Sequence, residues 1–129
     1  MSLKIAVASA QAMGVALATD TGTGSILEIR SGAKPATPET AASGTLLASI
    51  TITGAWTSTG GVLTAADPGP VAPAASGTAG HFRLKKSGGT AVLDGDAGTA
   101  GTDLVLGTTT ITVGTNVDLG VPTLTVPVS

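Results

Sequence analysis

The chain of 129 residues has no cysteine, which excludes disulfides and thiol chemistry. Its formal net charge is −2, so it lacks the excess of basic residues that is typical of nucleic-acid-binding proteins. Only 11% of the residues are charged, about half of the usual quarter. The length predicts one domain over residues 1–129, and small uncharged residues in place of charges favour a surface that is covered by other protein chains.

Residues 1–20 are expected to form an N-terminal helix or arm. Alanine, the strongest helix former, is frequent over residues 3–19, and Ser2 is a candidate N-cap. Glycines within residues 20–24 are expected to end the helix. An extended strand over residues 3–9 is the alternative, because a short apolar run fits both structures. In the helix, the side expected to face the core follows steps of three and four residues: Ile5, Ala6, Ser9, Met13 and Leu17.

The same segment imitates a secretory signal, with Lys4 before an apolar run and Ala16–Ala18 as a cleavage-like site. Ser9, Gln11 and Gly14 interrupt the run, which leaves it too short and too polar to span a bilayer. We therefore interpret this segment as part of the fold and expect no membrane contact.

The rest of the chain is expected to form short strands. Ile26–Arg30 alternates between apolar and charged residues. Because side chains alternate between the two faces of a strand, Leu27 and Ile29 are expected to point inward, and Glu28 and Arg30 outward.

A second clear alternation occurs over Leu46–Thr53, where one face would carry Leu46, Ala48, Ile50 and Ile52. Prolines predict that Ser31–Thr40 and Asp67–Pro73 are irregular. Turn signals recur every 8–12 residues or so, as in sandwiches and barrels. The sequence therefore predicts a mainly β fold: an antiparallel β-sandwich or barrel-like domain over residues 25–129, with a short N-terminal helix. Further short strands are expected at Val62–Ala66, Asp103–Leu106, Thr108–Val113 and Thr123–Val126.

The central feature of the chain is a predicted hairpin over Gly77–Asp96. Ser87–Gly89 supplies residues that a tight reversal needs, because glycine tolerates positive φ. Alternation places Phe82 and Leu84 on one face of the first strand. The opposite face would carry His81, Arg83 and Lys85.

Four residues are candidates for an interface with another subunit or partner: Trp56, His81, Arg83 and Lys85. Tryptophan is frequent at interface hot spots, so Trp56 is expected either in the core or at an interface. His81 lacks a matching nucleophile and acid, and we interpret it as an outward strand residue beside Arg83. Arg83, Lys85 and Lys86 form a basic cluster without an aromatic platform, which favours a solvated or inter-subunit face over a nucleic-acid site.

Three carboxylates, those of Asp94, Asp96 and Asp103, could supply oxygen ligands to calcium. The match to an EF-hand loop fails, because Gly98 stands where a third oxygen ligand belongs and no glutamate closes the site. The alternative is a glycine-rich turn in which the Asp side chains bond their own backbone. We predict no metal site, no cofactor and no catalytic residue, and hence a protein that is not an enzyme.

Three stretches of the sequence, in their order along the chain, resemble a family of small tailed-phage and prophage virion proteins that are encoded among head genes. The resemblance covers most of residues 1–113 and extends to the layout, a short N-terminal helix followed by strands. It departs at Asp67–Pro73, and the match is loose after Val113. The stretches are Ile26–Ala36 with Ser43–Ala48, then Ala75–Lys85, then Gly88–Thr90 leading to Gly98–Leu104.

The resemblance implies a structural role as a capsid decoration (cement) protein or a related minor head protein. Such a protein would be made in the host cytoplasm and carried on the capsid surface of the virion. Its implied partners are further copies of itself, with a trimer expected, and the major capsid protein. Burying apolar area contributes roughly 25 cal/mol per Å², so modest contacts become tight when several chains dock together.

Two alternatives stay open. A head–tail connector or tail component would form a ring of higher order than a trimer. A glycan-binding, adhesin-like module would recognise a host surface, although one Trp, one Phe and no Tyr leave few flat rings for sugars to stack on.

Overall fold

The computed structural model describes residues 6–100, 102 and 104–125. Within these ranges one helix precedes nine strands. In chain order they are α1 (Val7–Thr21), β1 (Ser25–Ser31), β2 (Leu46–Ile52), β3 (Thr57–Thr59), β4 (Val62–Thr64), β5 (Gly77–Lys85), β6 (Ala91–Gly98), β7 (Leu104–Val105), β8 (Thr110–Ile111) and β9 (Thr123–Thr125).

The strands form two sheets. The larger sheet has the order β2-β1-β5-β6-β7, with β8 paired to the first residues of β5, and it curls into a half-barrel. The smaller sheet has the order β3-β4-β9. Neighbouring strands are antiparallel except β6 and β7, which are parallel. The predicted mainly β architecture with an N-terminal helix is confirmed.

The predicted central hairpin is confirmed as β5 and β6. β5 pairs with β1 on one side and with β6 on the other, so the hairpin lies in the middle of the larger sheet. Two backbone hydrogen bonds of 2.8 Å close the reversal, from the amide of Lys86 to the carbonyl of Thr90 and from the amide of Gly89 to the carbonyl of Lys86.

Aliphatic side chains from both sheets form the core. Leu27 and Ile29 of β1 are fully buried, as the alternation predicts, and Phe82 and Leu84 of β5 are buried beside them. A core of this kind needs few aromatic rings, in agreement with the composition. Other buried members of the same cluster are Ile50, Ile52, Leu63, Leu104, Leu106, Ile111 and Leu124.

Trp56, which precedes β3, connects the smaller sheet to the larger one. It is 4% exposed, and Nε1 donates a hydrogen bond of 3.0 Å to Oγ of Ser25 at the start of β1. Of the two positions that the sequence allows, the structure places Trp56 in the core. Its ring is therefore not available on the surface of the chain.

Helix α1 begins later than the sequence predicts. Ala6 has an extended backbone and occupies the N-cap position without a side-chain hydrogen bond, while Ser2 lies outside the described residues. The alternative strand is wrong where the two can be compared, because Val7–Ser9 is helical. The helix ends before Gly22, as the glycines predict.

The buried side of α1 differs from the predicted one. Ala6, Ser9 and Met13 are exposed, Leu17 is half-buried, and Ile5 lies outside the described residues. Small side chains face inward instead, because they let the helix approach the β3–β4 hairpin closely. These buried residues are Ala10, Gly14, Ala18 and Thr21.

Gly14 and Ser58 mark the closest approach of α1 to β3. A Cβ atom added at Gly14 would collide with Oγ and Cβ of Ser58. Beside this contact, Nε2 of Gln11 donates to the carbonyl of Ser58 at 2.9 Å, and Oε1 of Gln11 accepts from the amide of Gly60. These contacts dock the helix onto the hairpin.

Two further predictions, and one strand that was not predicted, can be compared with the described strands. β3, formed by Thr57–Thr59, was not predicted, since it contains no apolar residue. The strand predicted over Thr108–Val113 is reduced to Thr110–Ile111. The proline-rich segment Asp67–Pro73 lies between strands, as predicted.

Candidate interaction surfaces

One face of the larger sheet carries charged side chains on its three central strands. The register places Arg83 of β5 between Glu28 of β1 and Asp94 of β6. Half of the Asp, Glu, Lys and Arg residues within the described ranges lie here, so charge is concentrated on this surface. We call it the charged sheet face, and it consists of Glu28, Arg30, His81, Arg83, Lys85, Asp94 and Asp96.

Arg83 and Asp94 form the most deeply buried ion pair of the described residues. Nε of Arg83 lies 2.7 Å from Oδ1 of Asp94 and Nη2 lies 2.9 Å from Oδ2, and the two side chains are 6% and 3% exposed. Two parallel bonds of this kind match the planar fork of a guanidinium. The hydrogen bonds to Asp94 raise the pKa of Arg83 above its ordinary value despite the opposing effect of burial, so Arg83 stays charged.

Glu28 is a second centre of the charged sheet face. Its carboxylate accepts from Nε of Arg30 at 3.2 Å and from Nζ of Lys85 at 3.3 Å, and its side chain is nearly buried. The sheet thus pairs its cations with its own carboxylates, which leaves little unpaired charge for an acidic partner.

His81, the single histidine, is fully buried in β5. Nδ1 lies 3.0 Å from the carbonyl oxygen of Gly32. A carbonyl can only accept, so this contact assigns the proton to Nδ1. Nε2 is then a buried acceptor, and it has no hydrogen-bond partner in the described part of the chain.

The segment that follows β1 covers this end of the charged sheet face. Nζ of Lys34 pairs with Oδ1 of Asp96 at 3.2 Å. A Cβ atom at Gly80 would collide with the carbonyl of Gly32, so the absence of a side chain at Gly80 lets the segment lie directly on β5.

The prediction of an outward face is wrong for His81, Arg83 and Glu28, which are buried. Long side chains on neighbouring strands pair across the sheet and cover one another, and the segment after β1 covers His81. Lys85 is half-buried. Of the four candidate interface residues, Lys85 therefore keeps an accessible side chain, and its role at an interface stays a prediction.

The carboxylates considered for calcium occupy a strand rather than a turn. Asp94 and Asp96 belong to β6, so the alternative of a glycine-rich turn is wrong. Asp94 bonds Arg83 and Asp96 bonds Lys34, while Asp103 lies outside the described residues. Within the described ranges, no three His, Asp or Glu side chains are grouped as a metal site requires.

An apolar groove of about 680 Å³ opens between α1, the β5–β6 hairpin and β9. Asp20 and Asp94 also line it, but Asp20 pairs with Nζ of Lys86 at 2.8 Å and Asp94 with Arg83, so the groove presents no unpaired acid. Its size lies within the range of about 300–1,000 Å³ that is usual for ligand pockets. We call it the apolar groove, and its large side chains are Met13, Leu17, Leu63, Phe82, Leu93 and Leu124.

The exposed side of α1 is nearly free of charge. Val7, Met13 and Val15 are 71%, 46% and 48% exposed, and Asp20 is the one charged residue of the helix. Single exposed apolar residues are ordinary. At 3.6 residues per turn, Met13 and Val15 lie on opposite flanks of α1, so these residues do not form one patch.

Comparisons with known proteins identify no relative of this chain. No family model, no curated protein and no solved structure matches the chain. Among the described residues, no helix combines the length and the apolar character that crossing a membrane requires.

Proposed function

We propose that this chain is a structural protein of a bacteriophage virion: a capsid decoration (cement) protein that binds the major capsid lattice as a homo-oligomer, with a trimer expected. The resemblance of three sequence stretches to small virion proteins motivates the proposal. The observation that carries it is the distribution of charge, which is concentrated on one self-paired sheet face while α1 and the neighbouring groove are apolar.

This distribution suits a surface that has to be covered by neighbours. Removing an unpaired charge from water costs several kcal/mol or more. Surfaces made of Ala, Val, Met and Thr avoid most of that cost, and burying their apolar area contributes about 25 cal/mol per Å². Met13 on one flank of α1, or Val15 on the other, would supply such area at a contact with the capsid or with another copy.

The glycan-binding alternative is less well supported than the virion role. Trp56 and Phe82, the two aromatic residues of the whole sequence, are 4% and 1% exposed. Sugar recognition by stacking needs an accessible ring, and neither ring is accessible. The connector or tail alternative differs from decoration in the number of copies that assemble.

The proposal is tested on phage particles from the genome that encodes this chain. Particles are purified with and without the gene, and each preparation is probed for the chain by mass spectrometry. Purified chain is then added to particles that lack it, and its own assembly is measured by native mass spectrometry. We expect a trimer that binds these particles at saturable sites. A stable monomer without affinity for particles contradicts the proposal, and a ring of higher order favours the connector.

A further inference from the structure

We infer that the Asp67–Pro68 peptide bond is a hydrolytic cleavage point of this chain, and that the two fragments stay assembled after the cut because both sheets contain strands from each fragment. The inference goes beyond the virion role and does not depend on it. It combines the chemistry of an aspartyl-prolyl bond, the exposure of this turn and the order of the strands in the two sheets.

The bond lies in an exposed turn between β4 and β5. Asp67 is the only aspartate of the sequence that a proline follows. Its side chain is exposed, while Pro68 is half-buried. The amide of Gly69 donates a hydrogen bond of 2.8 Å to Oδ1 of Asp67. This Asx-turn bond closes a ring that contains the Asp67–Pro68 peptide bond, so the carboxylate is folded back toward the peptide group that it can attack.

Hydrolysis of this bond in acid needs only the Asp67 carboxyl group and water. The carboxyl oxygen attacks the carbonyl carbon of the same residue and forms a cyclic anhydride. The C–N bond breaks, its electron pair goes to the nitrogen of Pro68, and that nitrogen takes the carboxyl proton. Water then opens the anhydride to the Asp67 side-chain carboxyl and a new terminal carboxyl. One water is consumed for each bond broken, and no oxidant or reductant is needed.

Proline is the leaving group that favours this reaction. Its ring replaces the amide hydrogen by a carbon atom, which makes the nitrogen more basic and easier to expel as a protonated amine. A secondary amide at the same position is cleaved more slowly.

The Asp118–Leu119 bond is a matched comparison within the same chain. The amide of Gly120 donates to Oδ1 of Asp118 at 3.0 Å, so the same turn forms without a proline. Gly69 and Gly120 both have positive φ, of 78° and 64°. Asp118 is exposed as well. The two turns therefore differ chiefly in the leaving group, and the first is expected to be cut before the second.

A cut at Asp67–Pro68 divides the larger sheet between β1 and β5. The N-terminal fragment keeps α1 and β1 to β4, and the C-terminal fragment keeps β5 to β9. The antiparallel ladder between β1 and β5 runs from the Ile26–Lys85 pair to the Ser31–Ala79 pair, so it connects the fragments along the middle of the sheet. Glu28 and Lys85 form an ion pair of 3.3 Å across the same junction.

The smaller sheet and the core are divided between the fragments as well. β9 of the C-terminal fragment pairs with β4 of the N-terminal fragment, with Leu63 opposite Leu124. Leu27 and Phe82 come from different fragments, belong to one core cluster, and are 0% and 1% exposed. Separation would expose apolar side chains of both fragments to water, which is unfavourable. The fragments are therefore expected to part only when the fold is lost.

The test incubates the full chain in dilute formic acid and follows it by denaturing mass spectrometry. We expect one fragment that ends at Asp67 and one that begins at Pro68. They should form at least about tenfold faster than any product of a cut at Asp118–Leu119, which corresponds to a barrier difference of roughly 1.4 kcal/mol.

Two variants test the chemistry of the bond. Pro68→Ala keeps the Asp67 carboxyl group and is expected to slow cleavage after Asp67 about tenfold or more. Leu119→Pro creates the same kind of bond in the second turn and is expected to add a cut after Asp118. Denaturing mass spectrometry detects these cuts whether or not a variant folds.

Assembly of the fragments is measured without acid. A full chain with a protease recognition sequence inserted between Asp67 and Pro68 is cut at neutral pH and compared with the uncut protein by native mass spectrometry. We expect both fragments in one assembly. We also expect the unfolding temperature of the cut protein to rise with protein concentration, because its fragments dissociate when they unfold.

Three results would overturn the inference: cleavage at Asp118–Leu119 as fast as at Asp67–Pro68, unchanged cleavage in Pro68→Ala, or separation of the protease-cut fragments at neutral pH without denaturant. None of these measurements involves phage particles, so a failure here is distinct from a failure of the virion proposal.

Discussion

Arg83 and Asp94 lie opposite each other on β5 and β6 and form two hydrogen bonds, of 2.7 and 2.9 Å, while both side chains are almost excluded from solvent. The attraction within a buried ion pair has to offset the desolvation of two charges, so the net contribution of the pair to stability is small. Removing one partner is nevertheless strongly destabilising, because it leaves the other charge buried and unpaired. We expect it to fix the register of the central hairpin.

A double-mutant cycle tests this role. Arg83→Met or Asp94→Leu alone is expected to lower the free energy of unfolding by about 3–5 kcal/mol, because each leaves a buried charge without its partner. The double variant should recover most of that loss. Chemical denaturation followed by the fluorescence of the buried Trp56 measures all four proteins. Additive losses in the double variant would show that the two side chains act independently.

Close packing of α1 on the β3–β4 hairpin depends on Gly14. Gly14→Ala is expected to destabilise the protein by about 1–2 kcal/mol, since overpacking against Ser58 outweighs the better helix propensity of alanine. Adding Ser58→Gly removes the obstacle and should restore stability, with Ser58→Gly alone as the control. The measurement is thermal unfolding followed by circular dichroism. Stabilisation by Gly14→Ala in the original background would contradict the packing described for α1.

The link between Trp56 and Ser25 joins the two sheets. Ser25→Ala removes the hydroxyl that accepts from Nε1 and is expected to cost about 1–3 kcal/mol, because the buried indole donor is left without a partner. Trp56→Phe removes the donor and also leaves a cavity, so it should cost more than Ser25→Ala. Urea unfolding followed by circular dichroism compares the two. If Ser25→Ala leaves the free energy of unfolding unchanged, the hydrogen bond between Trp56 and Ser25 does not stabilise the contact between the two sheets.

Contact between β5 and the segment after β1 depends on Gly80. Gly80→Ala is expected to cost about 1–3 kcal/mol, because its Cβ collides with the backbone carbonyl of Gly32. Gly88→Ala is the matched control, since a Cβ there meets nothing within 4 Å. Hydrogen exchange should become faster near Gly32 in the first variant and stay unchanged in the second. Equal behaviour of the two variants would contradict the close approach.

Local patterns in the sequence were sufficient to predict the central hairpin and the inward side of β1. The turn residues Ser87–Gly89 and the alternation of Leu27 and Ile29 are both read within a few neighbouring positions. The buried side of α1 was not predicted, because the inward residues are small and the apolar pattern favours Met13 and Leu17.

Features that depend on distant pairing could not be predicted from the sequence. The burial of Arg83 requires Glu28 and Asp94 on the neighbouring strands. The register that aligns these three residues depends on pairing between distant segments, so no single segment predicts it. The apolar groove likewise arises from the meeting of α1, β6 and β9. One signal was present, because Met13 and Leu17 were already assigned to one side of the helix.

The most direct test of the proposed virion role is a cryo-electron microscopy map of intact phage particles produced by cells in which this chain is made. The account predicts density for this β fold on the outer capsid surface, at symmetry-related positions, with the uncharged side of α1 or the apolar groove in contact with a neighbouring protein. Complete particles that lack this density, in a preparation where the chain is made, would contradict it.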